Sequence, residues 1–191
     1  MWDLVGKALG QPCWKLLGGR NDRLVAYASN AERVSAADRA TRINDLKTRG
    51  IRAAKIRFHD PDWRRDVAVV EARDLVLRGG LDVIQSDVVL MGGITGCRRI
   101  AAVADLAGRM WSPHTWSNGY GLVVNLHAAL GFSNCPFVEV PFDPPAWGTD
   151  RRDWLLPQPV EIAADGTIAP PDGPGLGVEP DFDALERYRA G

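Results

Sequence analysis

Residues 81–114 read LDVIQSDVVLMGGITGCRRIAAVADLAGRMWSPH, and this pattern predicts a strand, a glycine turn, a helix and a second strand. It places Asp87 at the end of the first strand and His114 at the end of the second. An aspartate that accepts a hydrogen bond from Nδ1 of a histidine fixes the tautomer of the imidazole, and a histidine can transfer protons near neutral pH. The stretch therefore predicts an α/β fold that carries an acid/base pair at two strand ends.

The same alternation of strands and helices continues on both sides of this stretch. Gly18 and Gly19 are expected to close the first helix, and Pro12 to interrupt it. The short connections are typical of a parallel α/β architecture, in which five strands form either an open sheet or part of a (β/α) barrel. Strands are predicted at residues 24–29, 51–58 and 137–142, and helices at residues 2–17, 36–49, from 61 onward and 119–130.

Composition limits the class of protein. The chain has 191 residues, of which 46% are hydrophobic and 25% are charged, enough for one sizeable core. Its net charge of −1 argues against a nucleic-acid partner or an acidic membrane surface, because both need clustered Lys and Arg. The chain has no run of about eighteen apolar residues and no signal-peptide pattern. Cys13, Cys97 and Cys135 lack CxxC spacing, which indicates reduced thiols in a cytoplasmic protein.

Four predicted strand ends carry polar side chains suited to chemistry: Lys55 with Arg57, Asp87, His114 and Glu139. In a parallel β/α fold these ends face the ligand site. The two cations would need carboxylates or an anionic substrate to offset them, and Glu139 could exchange a hydrogen bond with a developing oxyanion. Four of these residues also have a structural alternative: the histidine as a loop residue, the aspartate as a turn former, and the Lys-x-Arg pair as a solvent-facing edge.

Several motifs together resemble the enolase superfamily, in its mandelate racemase/muconate-lactonizing branch. The resemblance covers nearly the whole chain, and the tail is similar to that of the acid-sugar dehydratases. The segment WDLVGKALGQPCWKLLGG (2–19) resembles the junction helix between cap and barrel, and GPGLGVEPD (173–181) resembles the C-terminal return to the cap. Barrel strands two, six, seven and eight are resembled, in that order, by AAKIRF (53–58), LDVIQSDVVLMGGITG (81–96), MWSPHTW (110–116) and FVEVPFDPP (137–145).

The resemblance implies removal of the proton α to a carboxylate, with Mg²⁺ holding the resulting enediolate. His114 would be the base or acid, and Asp87 its orienting partner. Glu139 would hydrogen-bond the substrate carboxylate as the enediolate forms. Lys55 matches the first lysine of the Lys-x-Lys motif, whereas Arg57 stands at the second position and is a poor base. The implied reaction is dehydration of an acid sugar or another small carboxylate, in which Arg57 binds substrate.

The chain also departs from the family pattern. No segment matches the third, fourth and fifth strands, which carry the acidic metal ligands, and residues 74–77 look like a join between strands two and six. The predicted fold is therefore a partial (β/α) barrel of about five parallel strands, equivalent to strands 1, 2, 6, 7 and 8. The expected division is a remnant of the capping domain and junction helix at 1–19, the partial barrel at 20–145 and a wrapping tail at 146–191.

Three interpretations remain open from the sequence. The first is a hydro-lyase that acts on an acid sugar, with family members commonly forming homo-oligomers. The second is an inactive remnant that lacks the metal site, because without Mg²⁺ the enediolate loses its main charge stabilisation. The third is a non-catalytic anion-binding or assembly module that keeps Lys55 and Arg57.

Overall fold

The computed structural model describes residues 1–29, 45–51, 53–55, 82–187 and 189. A short helical stretch at 45–48 lies between the first two strands. The named helices are α1 Trp2–Leu9, α2 Cys13–Leu16, α3 Gly93–Leu106, α4 Gly119–Gly131, α5 Thr149–Arg152 and α6 Phe182–Arg187. The strands are β1 Leu24–Ser29, β2 Ala53–Lys55, β3 Val83–Ile84, β4 Met110–Trp111, β5 Phe137–Pro141 and β6 Thr167–Ile168.

The strands form two sheets in which most pairings are parallel, which confirms the predicted α/β fold class. Strand β1 pairs in parallel with β2 and β5, and its first residues pair antiparallel with β6. Strand β3 pairs in parallel with β4. The two sheets are joined near β4 and the start of β5, where the Trp111 amide donates to the Asn134 carbonyl (3.0 Å) and Ser112 Oγ donates to the Phe137 carbonyl (3.1 Å).

The two strands of the opening stretch are shorter than the sequence predicts. The last inter-strand hydrogen bond runs from the Ser112 amide to the Ile84 carbonyl at 3.0 Å. Pro113 follows and has no N–H to donate. On the other strand, Asp87 starts a turn in which its own Oδ1 accepts a hydrogen bond from the Val89 amide at 2.9 Å. Strand β3 therefore ends three residues before Asp87, and β4 ends three residues before His114, so both members of the predicted acid/base pair lie in loops.

The N-terminal helix breaks where Pro12 predicts an interruption. Gly10, with φ of 64°, ends α1 in the left-handed conformation, and α2 begins after Pro12. The C-terminal tail fills the break, because the Cys13 amide donates to the Gly175 carbonyl at 2.8 Å and the Leu176 amide donates to Asp3 Oδ1 at 2.9 Å. The tail thus returns to the N-terminal segment.

Helix α4 lies at the centre of the core. Its sequence, GYGLVVNLHAALG, is apolar on nearly all sides, as expected of a helix surrounded by protein. It packs against α2, α3 and β5. Six apolar side chains of the helix are buried: Leu122, Val123, Leu126, Ala128, Ala129 and Leu130. Within the described ranges, no helix has the length and apolar character needed to cross a bilayer.

His127, on α4, is a buried structural histidine. Its Nδ1 accepts a hydrogen bond from the Trp14 amide (3.3 Å), and its Nε2 lies 3.2 Å from the Leu176 carbonyl. An amide can only donate and a carbonyl can only accept, so the hydrogen is on Nε2. Burial lowers the pKa of this imidazole from 6.5 to about 4. The neutral ring therefore joins α2, α4 and the C-terminal tail.

Acidification is expected to weaken the fold through His127. The pKa of His127 falls from 6.5 to about 4 on folding, so its contribution to stability is complete above pH 6.5 and is lost as the pH falls towards 4. The loss is on the order of 3 kcal/mol. Urea unfolding of the wild type and of His127→Gln at pH 7, 5.5 and 4 measures it. The two free energies of unfolding should converge at low pH, and a constant difference would contradict this assignment.

Candidate active site

The loops that follow β3 and β4 bring Asp87 and His114 together, as the sequence predicts. Asp87 is buried, with 5% of its surface exposed, and its Oδ2 lies 3.3 Å from His114 Nδ1. Because a carboxylate oxygen only accepts, this geometry assigns the hydrogen to Nδ1. The lone pair of His114 is then on Nε2, for which the described part of the chain provides no hydrogen-bond partner. This nitrogen is available as a base.

The other carboxylate oxygen of Asp87 is also hydrogen-bonded within the protein. Asp87 Oδ1 accepts hydrogen bonds from the Val89 amide at 2.9 Å and from Asn125 Nδ2 at 3.1 Å. Asn125 was not among the residues predicted from the sequence. A polar residue inside the apolar run of α4 is the signal that could have pointed to it, because buried polar groups require partners.

Glu139 lies on β5 and is fully buried. Its Oε2 accepts a hydrogen bond from the Thr115 amide at 2.8 Å. Since Thr115 directly follows His114, one loop contacts both predicted acidic residues. The structure therefore brings Asp87, His114 and Glu139 to the same end of the parallel strands, where the ligand sites of such folds lie.

Tyr27 is a further polar residue at this end that the sequence analysis missed. It stands opposite Glu139 in the register of β1 and β5. Burial, and secondly the charge of Glu139, raises the pKa of the Tyr27 hydroxyl. This hydroxyl accepts a hydrogen bond of 2.6 Å from Gln85 Nε2, which crosses from the loop after β3. Gln85, a glutamine inside an apolar strand pattern, was the sequence signal that could have pointed to this contact.

The predicted cations are described less fully. The backbone of Lys55 ends β2 and pairs with Ser29, which in turn pairs with Pro141. Lys55 thus lies at the same edge of the sheet as the end of β5. The side chain of Lys55 and the whole of Arg57 lie outside the described residues, so their place in the site remains a prediction.

His114 borders an open cavity of about 570 Å³, and 32% of its side chain is exposed. The cavity wall is mostly apolar, with Arg99 of α3 as its one cation among the described lining residues. Its apolar side chains are Ile84, Leu90, Met91, Ile100 and Val103. A small molecule in this cavity would reach the imidazole while most of Asp87 stays shielded from water.

The described residues do not form the kind of site that Mg²⁺ prefers, which is a set of several oxygen ligands. Within those residues, no group of three or more His, Cys, Asp or Glu side chains is placed to hold a metal ion. Asp87 is engaged by His114 and Asn125, and Glu139 by Thr115.

Comparison with known proteins places these features in a family. Residues 69–184, more than half of the chain, match the family described as Enolase C-terminal domain-like. The chain therefore belongs to the enolase superfamily, in the mandelate racemase/muconate-lactonizing branch that its motifs resemble.

Two curated relatives and one solved structure illustrate the match. The chain is 34% identical over 116 residues to a D-galactarolactone cycloisomerase of Agrobacterium fabrum, and 30% identical over 119 residues to an arabinonate dehydratase of Saccharolobus solfataricus. These alignments cover 58% and 62% of the chain, but only 30% of either relative. A member of the enolase superfamily from Polaromonas sp. JS666 has the same fold, with a TM-score of 0.83 and 23% identity over 100% of this chain and 69% of that one.

Proposed function

We propose that this chain removes the proton α to the carboxylate of an acid sugar and acts as a hydro-lyase. The observation that carries the proposal is the contact between Asp87 Oδ2 and His114 Nδ1, which leaves Nε2 without a partner among the described residues in a side chain that lines an open cavity. The arrangement matches the roles that the motifs imply for these two residues. The names of the two curated relatives support sugar acids or their lactones as the substrate class.

The proposed reaction uses His114 twice. First, Nε2 accepts the α-proton, and the electron pair of the broken C–H bond moves into the substrate carboxylate to form an enediolate. Asp87 stabilises the imidazolium that results, as an orienting carboxylate does. Then the imidazolium returns a proton to the hydroxyl on the β-carbon, which leaves as water while the enediolate electrons form the C=C bond of an enol. The enol tautomerises to a 2-keto acid.

The other predicted residues would bind the carboxylate. Glu139 is proposed to hydrogen-bond the substrate as the enediolate forms, with its protonated carboxyl as the donor, because an enediolate oxygen can only accept. Lys55 and Arg57 are proposed to offset the substrate charge. The strand pairings support a partial barrel in the order β2, β1, β5, β4 and β3, equivalent to barrel strands 2, 1, 8, 7 and 6.

An inactive remnant is the second candidate. It is favoured by two observations: the described residues provide no three-ligand metal group, and the sequence has no segment that matches the ligand-bearing strands. Mg²⁺ is expected for the family, and superfamily catalysis without it would lack the main stabilisation of the enediolate charge.

Exchange of the α-proton separates the two candidates. The protein would be incubated in D₂O with a panel of aldonic and aldaric acids, with and without added Mg²⁺, and the α-proton followed by NMR. The hydro-lyase predicts loss of the α-proton signal and formation of a 2-keto acid for at least one acid. An unchanged α-proton signal across the whole panel would support the inactive remnant.

A further inference from the structure

Asn125 occupies an unusual position for a polar side chain. It lies in the middle of the apolar helix α4 and is fully buried. Its Nδ2 donates to the Gly121 carbonyl and to Asp87 Oδ1, both at 3.1 Å, and its Oδ1 accepts from the Val88 amide at 3.0 Å. A buried amide costs free energy unless it is hydrogen-bonded, and here both N–H groups and the oxygen have partners.

These partners allow only one orientation of the amide. The Val88 amide can only donate, so it must face the oxygen of Asn125 rather than its nitrogen. The Gly121 carbonyl, one turn earlier in the same helix, then engages one N–H of Nδ2. The remaining N–H points at Asp87. The helix thus presents a fixed donor to a carboxylate on a separate loop.

The donor determines which oxygen of Asp87 faces His114. Asp87 Oδ1 already accepts from the Val89 amide and from Asn125, so Oδ2 is left for the imidazole. The Val89 amide belongs to the same turn as Asp87 and moves with it. Asn125 connects this turn to helix α4 through two hydrogen bonds, one to the Asp87 carboxylate and one from the Val88 amide.

We propose that Asn125 is a positioning residue that fixes the Asp87 carboxylate and so holds His114 in the Nδ1–H tautomer. It acts through Asp87 and does not touch the substrate. The catalytic consequence rests on the proposed function: with Nδ1 protonated, the lone pair of the imidazole is on Nε2, and His114 lines the cavity. Without the Asn125 donor the carboxylate can rotate, and the imidazole shifts towards the Nε2–H tautomer that is favoured in water. That tautomer cannot accept a proton at Nε2.

Nitrogen-15 NMR of the imidazole rings tests this inference without any substrate. The chain has 3 histidines, so the ring signals can be assigned with single variants. At pH 8.5, well above the ordinary histidine pKa, the neutral tautomers are read directly from the Nδ1 and Nε2 shifts. His127 serves as an internal reference, because its contacts require the Nε2–H tautomer. Wild-type His114 should show the opposite, Nδ1–H, and a predominant Nε2–H form there would overturn the proposal.

Two variants remove the donor. Asn125→Leu replaces the amide with an apolar side chain of similar size, and Asn125→Ala truncates it, so neither can donate to Asp87. In each folded variant, the His114 signals should move towards the Nε2–H pattern while those of His127 stay unchanged. If Asn125→Leu does not fold, Asn125→Ala decides. A folded variant of either kind that retains Nδ1–H at His114 would overturn the proposal.

Asn118→Ala is the matched control. Asn118 caps the N-terminus of the same helix by accepting a hydrogen bond from the Gly121 amide at 3.1 Å, and among the described residues it makes no hydrogen bond to Asp87. Its loss weakens the helix by about 1 kcal/mol but should leave the His114 tautomer unchanged. Exchange of the α-proton is measured separately. A tautomer change in a chain that exchanges no α-proton would support the positioning role and count against the proposed function, so the two failures are distinguishable.

Discussion

Replacement of His114 by asparagine is expected to slow α-proton exchange by about 10²–10⁴-fold, the usual contribution of a general base. The substitution removes the Nε2 lone pair of a side chain that lines the cavity. Asparagine keeps a polar side chain next to Asp87 Oδ2. The rate would be measured by NMR in D₂O on the best acid of the panel.

The stability of this variant must be followed alongside its rate. His114 is about a third exposed and its ring makes one hydrogen bond among the described residues, so the free energy of unfolding should change by less than about 1 kcal/mol. Asp82→Asn is a suitable control for the same assay, because Asp82 is exposed at the start of β3 and contacts Arg109 on the surface. A His114→Asn protein that exchanges the α-proton at the rate of Asp82→Asn would exclude His114 as the base.

Replacement of Arg152 by methionine is expected to lower the free energy of unfolding by about 3–5 kcal/mol, the range for a buried ion pair that loses one partner. Arg152 and Asp153 are both nearly inaccessible, and their side chains form two hydrogen bonds of 2.7 and 2.6 Å. Arg152 also donates to the carbonyls of Pro141 and Val160. The variant leaves a buried carboxylate unpaired and separates the tail from the end of β5.

Arg151→Met is the matched control for this prediction. Arg151 precedes Arg152 but is exposed, and it contacts the Ala146 carbonyl and the Trp147 ring. Its loss should cost less than about 1 kcal/mol, as for other exposed cation–π contacts. Urea denaturation at pH 7 gives both values. Equal free energies for the two variants would show that the buried pair does not hold the tail.

The sequence predicted the chemistry-bearing strand ends better than the strands themselves. Asp87 and His114 were placed correctly because the order of strand, helix and strand is local, and parallel strands bring their carboxyl ends to one edge. The lengths of β3 and β4 were wrong, because Pro113 and the turn at Asp87 end the ladder early. Apolar runs predict burial, but they do not show where inter-strand hydrogen bonding stops.

The supporting residues depended on tertiary contacts that periodicity does not reveal. Asn125 and Gln85 each stand in an apolar pattern, and only the fold shows that one faces Asp87 and the other Tyr27. His127 lies between α2 and the C-terminal tail, which are distant in sequence, so its own helix does not reveal its partners. Arg152 gave no signal, because a buried arginine and a surface arginine look alike in a charged run.

The most direct test of the account is the α-proton exchange rate of four proteins: wild type, Asp87→Asn, His114→Asn and the double variant. If Asp87 acts only by orienting His114, each single variant is slow, and the double variant is no slower than His114→Asn, because the two residues act as one unit. Losses that multiply in the double variant, wild-type exchange in Asp87→Asn, or no exchange in the wild type itself would contradict the assignment of this pair as the proton-transfer device.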